Sequence, residues 1–178
     1  MIIIVCGLPG VGKTSLANEL APLIRAVVLS TDKIRKELIS KPTYRIQERK
    51  LIYDIMLLLA RYLHDAGINC ILDATFNTEN SRRELKKRLN LISSPQINIV
   101  ECTCPEHITI SRLRSRKNDY SDADISIYKR MRSIYQPIKE KHIVVDTSQQ
   151  STYMNAREIA NQLLKNEIKN WIQTNKNN

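Results

Sequence analysis

The stretch Gly7-Leu8-Pro9-Gly10-Val11-Gly12-Lys13-Thr14 meets every fixed position of the pattern G-x-x-x-x-G-K-[ST] and directly follows the apolar run Ile2 to Cys6. Backbone that wraps a row of anionic oxygens must turn its N–H groups inward with no Cβ in the way, so glycine recurs in such a loop. The chain has 4 glycines, and three of them fall here. The chemistry implied is binding of a nucleoside triphosphate. Lys13 would reach the β- and γ-phosphates and Thr14 would place its hydroxyl on Mg²⁺, while the helix that continues through Ser15 adds N–H donors and the positive end of its dipole. A plain glycine turn between a strand and a helix is the competing reading; the apolar run before and the helical period after favour the phosphate loop.

Asp73 closes the apolar run Ile68 to Leu72. A carboxylate at the buried end of a strand calls for a compensating cation, which suits a Mg²⁺ acid; the alternative is an N-cap to a turn. Ala74 follows it, so the acidic pair of motor and ring-forming ATPases is absent. Asp32 opens Asp32-Lys33-Ile34-Arg35 just past the second apolar run. A carboxylate there could take the proton of an acceptor hydroxyl attacking a γ-phosphate, with Arg35, one helical turn on, holding an anionic acceptor. Ser30, Thr31 or Asp32 as an ordinary helix N-cap fits equally well. Arg112 and Arg116 are four apart and would share a helix face, as needed to swing over a triphosphate and neutralise charge spreading onto the transferring group. The polar stretch Lys117 to Ala123 reads as a flap, giving a lid over about 112–123. A solvated basic helix end is the plainer alternative.

These residues need a frame. Strand-like runs at Ile2 to Cys6, Ala26 to Leu29, Ile68 to Leu72, Ile97 to Cys102 and His142 to Val145 alternate with segments of helical period. That alternation is the signature of an α/β fold with a parallel sheet covered on both faces, whose ligands sit beyond the carboxyl ends of the strands. Helices are expected over Lys13 to Ile24, Asp32 to Ile39, Arg45 to Asp65, Thr78 to Leu91, Pro105 to about Leu113, Asp124 to Tyr135 and Tyr153 to Gln173. In the third, Leu51, Ile55, Leu58, Leu59 and Tyr62 fall on one stripe and are expected in the core.

At 178 residues and 42% hydrophobic, with no break in composition, the chain reads as one domain over residues 1–178 with a polar tail from about 174. Lys plus Arg is 28 against 18 for Asp plus Glu, a net charge of +10. That favours an anionic partner beyond the nucleotide, RNA or DNA among them, or else records solvated helix faces. Cys6, Cys70, Cys102 and Cys104 lie in or beside apolar runs and read as core residues of a protein in a reducing cytosol; Cys102-x-Cys104 lacks zinc-knuckle spacing. His64, His107 and His142 are isolated. No basic leader and no apolar segment of about 20 residues is present, so a soluble, cytoplasmic protein without a membrane partner is expected. Oligomeric state has no signal.

The elements in order are distinctive: Gly7 to Thr14, Asp32-x-x-Arg35, Leu72 to Asn77 leading to Arg82-Arg83, Arg112-x-x-x-Arg116, and Tyr128-x-x-Met131. Over about residues 1–148 the chain resembles the small phosphate-loop kinases related to bacteriophage polynucleotide kinase and archaeal seryl-tRNA kinase, with their AAA-type ATP-binding domain. The resemblance implies a three-layer fold, a five-stranded sheet in the order 2-3-1-4-5, a short lid and a core like that of nucleoside monophosphate kinases. It implies Asp32 as general base, Arg35, Thr75 and Arg83 on the acceptor side, Arg112 and Arg116 as lid arginines, and ATP with Mg²⁺. Lys117 stands where these kinases often carry glycine, and a further C-terminal domain of the tRNA-binding kind is not expected, since the helix from Tyr153 and a short polar tail make up the rest of the sequence.

The leading expectation is therefore an ATP-dependent kinase of a hydroxyl acceptor. A nucleic-acid 5′-hydroxyl is favoured by charge, a small anionic metabolite is its rival, and a regulatory ATPase without acceptor is the competing class. No Asn-Lys-x-Asp follows a strand, against a GTPase switch.

Overall fold

The computed structural model describes residues 1–93, 97–116 and 121–176. Five short strands, β1 (Ile2–Cys6), β2 (Ala26–Ser30), β3 (Asn69–Asp73), β4 (Ile97–Thr103) and β5 (Ile143–Asp146), form one parallel sheet in the order β2-β3-β1-β4-β5. Every residue of β1 is buried, as suits a central strand covered on both faces, and its β-branched side chains pack well on a pleated surface. Alternation sends Ile2, Ile4 and Cys6 to one face and Ile3 and Val5 to the other. The register aligns Ser30 of β2, Asp73 of β3 and Val5 of β1, and sets Glu101 of β4 beside Cys6. The carboxyl ends thus gather the residues that the sequence singles out.

The helices follow: α1 (Lys13–Leu23), α2 (Thr31–Leu38), α3 (Ile46–Asp65), α4 (Glu79–Ser93), α5 (Glu106–Ser115), α6 (Ile125–Ser133) and α7 (Thr152–Lys176). The helices α1 and α7 cover the face of Ile3 and Val5, where Leu16, Leu20, Ile159 and Leu163 are buried; α3 and α4 cover the other with Ile52, Met56, Leu85 and Leu89. Asp124 caps α6, accepting the Ile127 N–H at 2.8 Å.

Two expectations change. The stripe of α3 expected in the core is turned outward: Leu51, Leu58, Leu59 and Tyr62 are exposed and Ile55 is only partly covered, while Ile52, Met56, Leu57 and Ala60 are buried. This helix is apolar on more than one side, so its period does not fix its rotation; packing on β3 and the edge-on contact of Tyr53 with Phe76, 5.4 Å between centroids, does. The tail expected from 174 is helical through Lys176, and the rest of it, 177–178, lies outside the described residues. Among the described residues no helix is long and apolar enough to cross a membrane.

Candidate active site

The phosphate loop joins β1 to α1. Gly7, Gly10 and Gly12 all have positive φ. At Gly7 (φ 133°) a Cβ would stand 2.3 Å from the Cys102 carbonyl oxygen, and at Gly10 2.9 Å from Leu113, so side chains are excluded by both conformation and space. Lys13 Nζ donates to the Leu8 carbonyl at 2.8 Å, folding the ammonium back over the loop. Burial pulls its pKa down, against the opposing pull of Asp73. Thr14 Oγ1 donates to Asp73 Oδ2 at 2.7 Å. Asp73 is 3% exposed, and burial raises its pKa. Pro9 and Val11 are buried in the loop and Ser15 is exposed in the first turn of α1.

On the other side of the sheet's end, α2 begins at Thr31, and Ser30 occupies the N-cap position without a side-chain capping bond. Asp32 is therefore in the first turn, with its side chain 38% exposed. Arg35 is placed differently from the expected acceptor contact. Its side chain is 5% exposed, its Nη1 donates to Asp32 Oδ1 at 2.8 Å and its Nε lies 3.1 Å from Glu48 Oε1. Tyr44, itself at φ 56°, lays its ring 4.8 Å from the guanidinium carbon. Glu48 is fixed in turn, its Oε2 accepting from Thr43 N (2.6 Å), Thr43 Oγ1 (2.7 Å) and Tyr44 N (3.1 Å) at the start of α3. These bonds, led by the Thr43 hydroxyl, hold its pKa below the usual range. A guanidinium so engaged is a brace between Asp32 and α3, because its charge is already met by two carboxylates.

The lid arginines also part company. Arg112, in the last turn of α5, donates to Thr147 Oγ1 (2.8 Å) and to the Thr147 carbonyl (2.9 Å), and Thr147 Oγ1 donates to the Val11 carbonyl at 2.7 Å. Arg116 stands at the residue where α5 stops, with extended backbone, so the two do not share a helix face. Of the expected lid, residues 117–120 lie outside the described residues; beyond them, Asp122 accepts from Lys36 Nζ at 2.9 Å and from the Tyr44 hydroxyl. Arg83 is exposed on α4 and bonds Asn80 at 3.0 Å, whereas Arg82 is 4% exposed and donates to the carbonyls of Phe76, Gln136 and Pro137. Thr75 accepts the Gly7 N–H through its carbonyl at 3.3 Å, and its side chain meets the Tyr53 hydroxyl.

The donor set fits Mg²⁺: one buried carboxylate and one hydroxyl at the phosphate loop leave the remaining positions of an oxygen octahedron to water and phosphates. Among the described residues no group of three or more His, Cys, Asp or Glu could hold a metal without such help. The four cysteines are free; burial pushes Cys6 and Cys102 up to about 12 and Cys70 to about 11, as for inert core thiols.

An uncharacterized protein of Mycobacterium tuberculosis (strain ATCC 25618 / H37Rv) is 29% identical over 136 residues, which cover 70% of this chain and 27% of that protein. The chain thus spans about a quarter of that relative's length. Among solved structures, the APS kinase of M. tuberculosis, in complex with AMPPNP and APS, superposes with a TM-score of 0.73 at 21% identity over 91% of this chain and 96% of its own. A gluconokinase from Sinorhizobium meliloti 1021 gives 0.70 at 15% identity over 96% and 95%, and Kti12 from Chaetomium thermophilum, in complex with ADP-AlF3, 0.70 at 14% over 93% and 98%. At such identities the likeness is one of fold, and that fold is kinase-like. The AAA domain family matches residues 2–138, which take in the phosphate loop and every strand but the last, so the chain belongs to that family, as a phosphate-loop protein with a kinase-like fold.

Proposed function

We propose that the chain is an ATP-dependent kinase that moves the γ-phosphoryl group to a hydroxyl, with Asp32 as the base that takes the hydroxyl proton. The observation that carries this reading is the contrast between two carboxylates at neighbouring strand ends. Asp73 is sealed against Thr14, whereas Asp32 is open to solvent on one side and held by Arg35 on the other. Environments that differ in this way sort two acids into two roles. Mg²⁺, when held by Thr14 and Asp73, would neutralise phosphate charge and set the phosphates in line. Lys13 would leave Leu8 for the β- and γ-phosphates, Arg112 would support the loop through Thr147, and Arg116 would meet charge growing on the transferring group. Thr75 and Arg83 are the further acceptor-side candidates.

The test is transfer of labelled γ-phosphate by wild type and Asp32→Asn. The Asn side chain keeps the size of Asp32 and a hydrogen-bond acceptor for Arg35. Loss on the order of 10²-fold or more in transfer with ATP affinity intact is the outcome of a base role. Unchanged transfer would remove it, and wild type that hydrolyses ATP but phosphorylates no acceptor would make the protein a regulatory ATPase. The net charge of +10 makes a nucleic-acid 5′-hydroxyl one acceptor to be tested beside small compounds. Binding that falls steeply with salt is the mark of that case.

A further inference from the structure

We infer that the acceptor is a small polyhydroxylated compound without negative charge, a polyol or amino alcohol, held in a cavity between the phosphate loop, β4 and α6. The inference rests on the kinase reading above. The cavity has a volume of about 210 Å³, and its walls include Gly7, Leu8, Glu101, Glu106, Arg132 and Tyr135. The volume is short of the ~300 Å³ from which pockets for drug-sized ligands begin, which suits a compound of a few heavy atoms. Its position suits an acceptor, because Leu8 is both its wall and the residue whose carbonyl holds the Lys13 ammonium.

Its chemistry runs against the charge of the rest of the protein. The charged side chains in its walls are Glu101, Glu106 and Arg132, and Arg132 is already paired with Glu106. Glu101, 14% exposed, takes the Tyr135 hydroxyl on one oxygen and lies 3.0 Å from His142 Nε2 with the other. Arg82, behind this group, is committed to three carbonyls. Among the described residues of the wall, the guanidinium is spent on Glu106 and the Glu101 oxygens already meet Tyr135 and His142, which leaves the remaining carboxylate lone pairs for a hydroxyl or ammonium hydrogen and no open cation for a phosphate. In the sheet, β2 and β4 are separated by β3 and β1, hence by roughly 14 Å. Asp32 is not part of the cavity wall, so an acceptor seated there reaches from the cavity past β1 and β3 toward the start of α2. In the transfer, the acceptor oxygen bonds to the γ-phosphorus and its proton passes to Asp32. The bond from that phosphorus to the β,γ-bridging oxygen breaks, and ADP leaves with the electron pair.

The experiment uses the full chain, γ-labelled ATP and five probes: D-glucitol, D-glucosamine, D-gluconate, sn-glycerol phosphate and a 5′-hydroxyl ribonucleotide oligomer. Protection of Cys104, the half-buried thiol of the cavity, from iodoacetamide is read in parallel by mass spectrometry. The expected result is transfer to D-glucitol or D-glucosamine, protection of Cys104 by the same compound, and a rise of about tenfold or more in its KM for Glu101→Gln, with KM for ATP within twofold, since a charge-assisted hydrogen bond is lost at the acceptor alone. Transfer confined to the anionic probes or the oligomer overturns the cavity assignment and leaves the kinase reading standing. ATP hydrolysis with no transfer to any probe and no protection of Cys104 overturns both.

Discussion

Glu48 and Asp32 hold one guanidinium between them: Arg35 Nε lies 3.1 Å from Glu48 Oε1 while its Nη1 lies 2.8 Å from Asp32 Oδ1. The base candidate is thereby tied to the first turn of α3, and through Tyr44 to Asp122 beyond the lid arginines. A planar fork can serve two carboxylates at once, which a single ammonium on a flexible stem does not reproduce.

Arg35→Lys is accordingly expected to lower kcat about tenfold with KM for ATP nearly unchanged, by misplacing Asp32 and not by weakening nucleotide binding. Steady-state kinetics with the best acceptor checks this. A selective rise in acceptor KM would instead return Arg35 to direct substrate contact.

Lys13→Ala is expected to cost on the order of 10²–10³-fold in transfer, the usual worth of one preorganised charge at the phosphates. The fold survives, because among the described residues the Lys13 ammonium bonds just the Leu8 carbonyl. Circular dichroism and a transfer assay on one preparation decide it.

Arg112 and Arg116 are expected to separate. Arg112→Ala unfastens Thr147 from α5 beside the Val11 carbonyl, so KM for ATP should rise several-fold, with a lower Tm. Arg116→Ala should chiefly lower kcat, as for a group that acts on transition-state charge. Equal losses in kcat and affinity for both variants would count against this division.

Asp73 sets a pH dependence. Its pKa in the folded protein is raised by burial, so the folded state binds the proton more tightly than the unfolded chain. Its contribution to stability is full below the ordinary carboxylate pKa and is lost as pH rises through the raised value. Without nucleotide, Asp73→Asn should therefore raise Tm at neutral pH by about 2–4 °C, for relief on the order of 1 kcal/mol. The difference should close in acid, and Mg²⁺-dependent ATP binding should be lost. Melting curves across pH, with and without Mg²⁺ and ATP, test both halves.

The strands and the phosphate loop were legible because each is written locally: β1 is an unbroken apolar run and the glycines stand where φ is positive. Strand order came from the resemblance, since apolar runs carry no order. Helix rotation was the illegible part. On α3, apolar residues surround the axis, and on α4 it is Arg82 that turns inward while its neighbour Arg83, the acceptor-side candidate, is exposed. What turns Arg82 inward is a set of carbonyls at 76, 136 and 137, two of them far along the chain, which no local pattern announces. Glu48 was missed for the same reason: its distant partner comes from α2, and its spacing shows only a helix start. Glu101 reads as one polar interruption in a strand until Tyr135 and His142 are seen against it.

The clasp at Thr147 gives the protein a history during synthesis. The phosphate loop precedes by 136 positions the hydroxyl that bonds its Val11 carbonyl, which follows the fifth strand. A nascent chain stalled short of that point has its glycines and its lysine but not the hydroxyl of Thr147 to brace them, since domains fold as units once their partners have left the ribosome. The Val11 carbonyl thus gains this brace only after the fifth strand has been made.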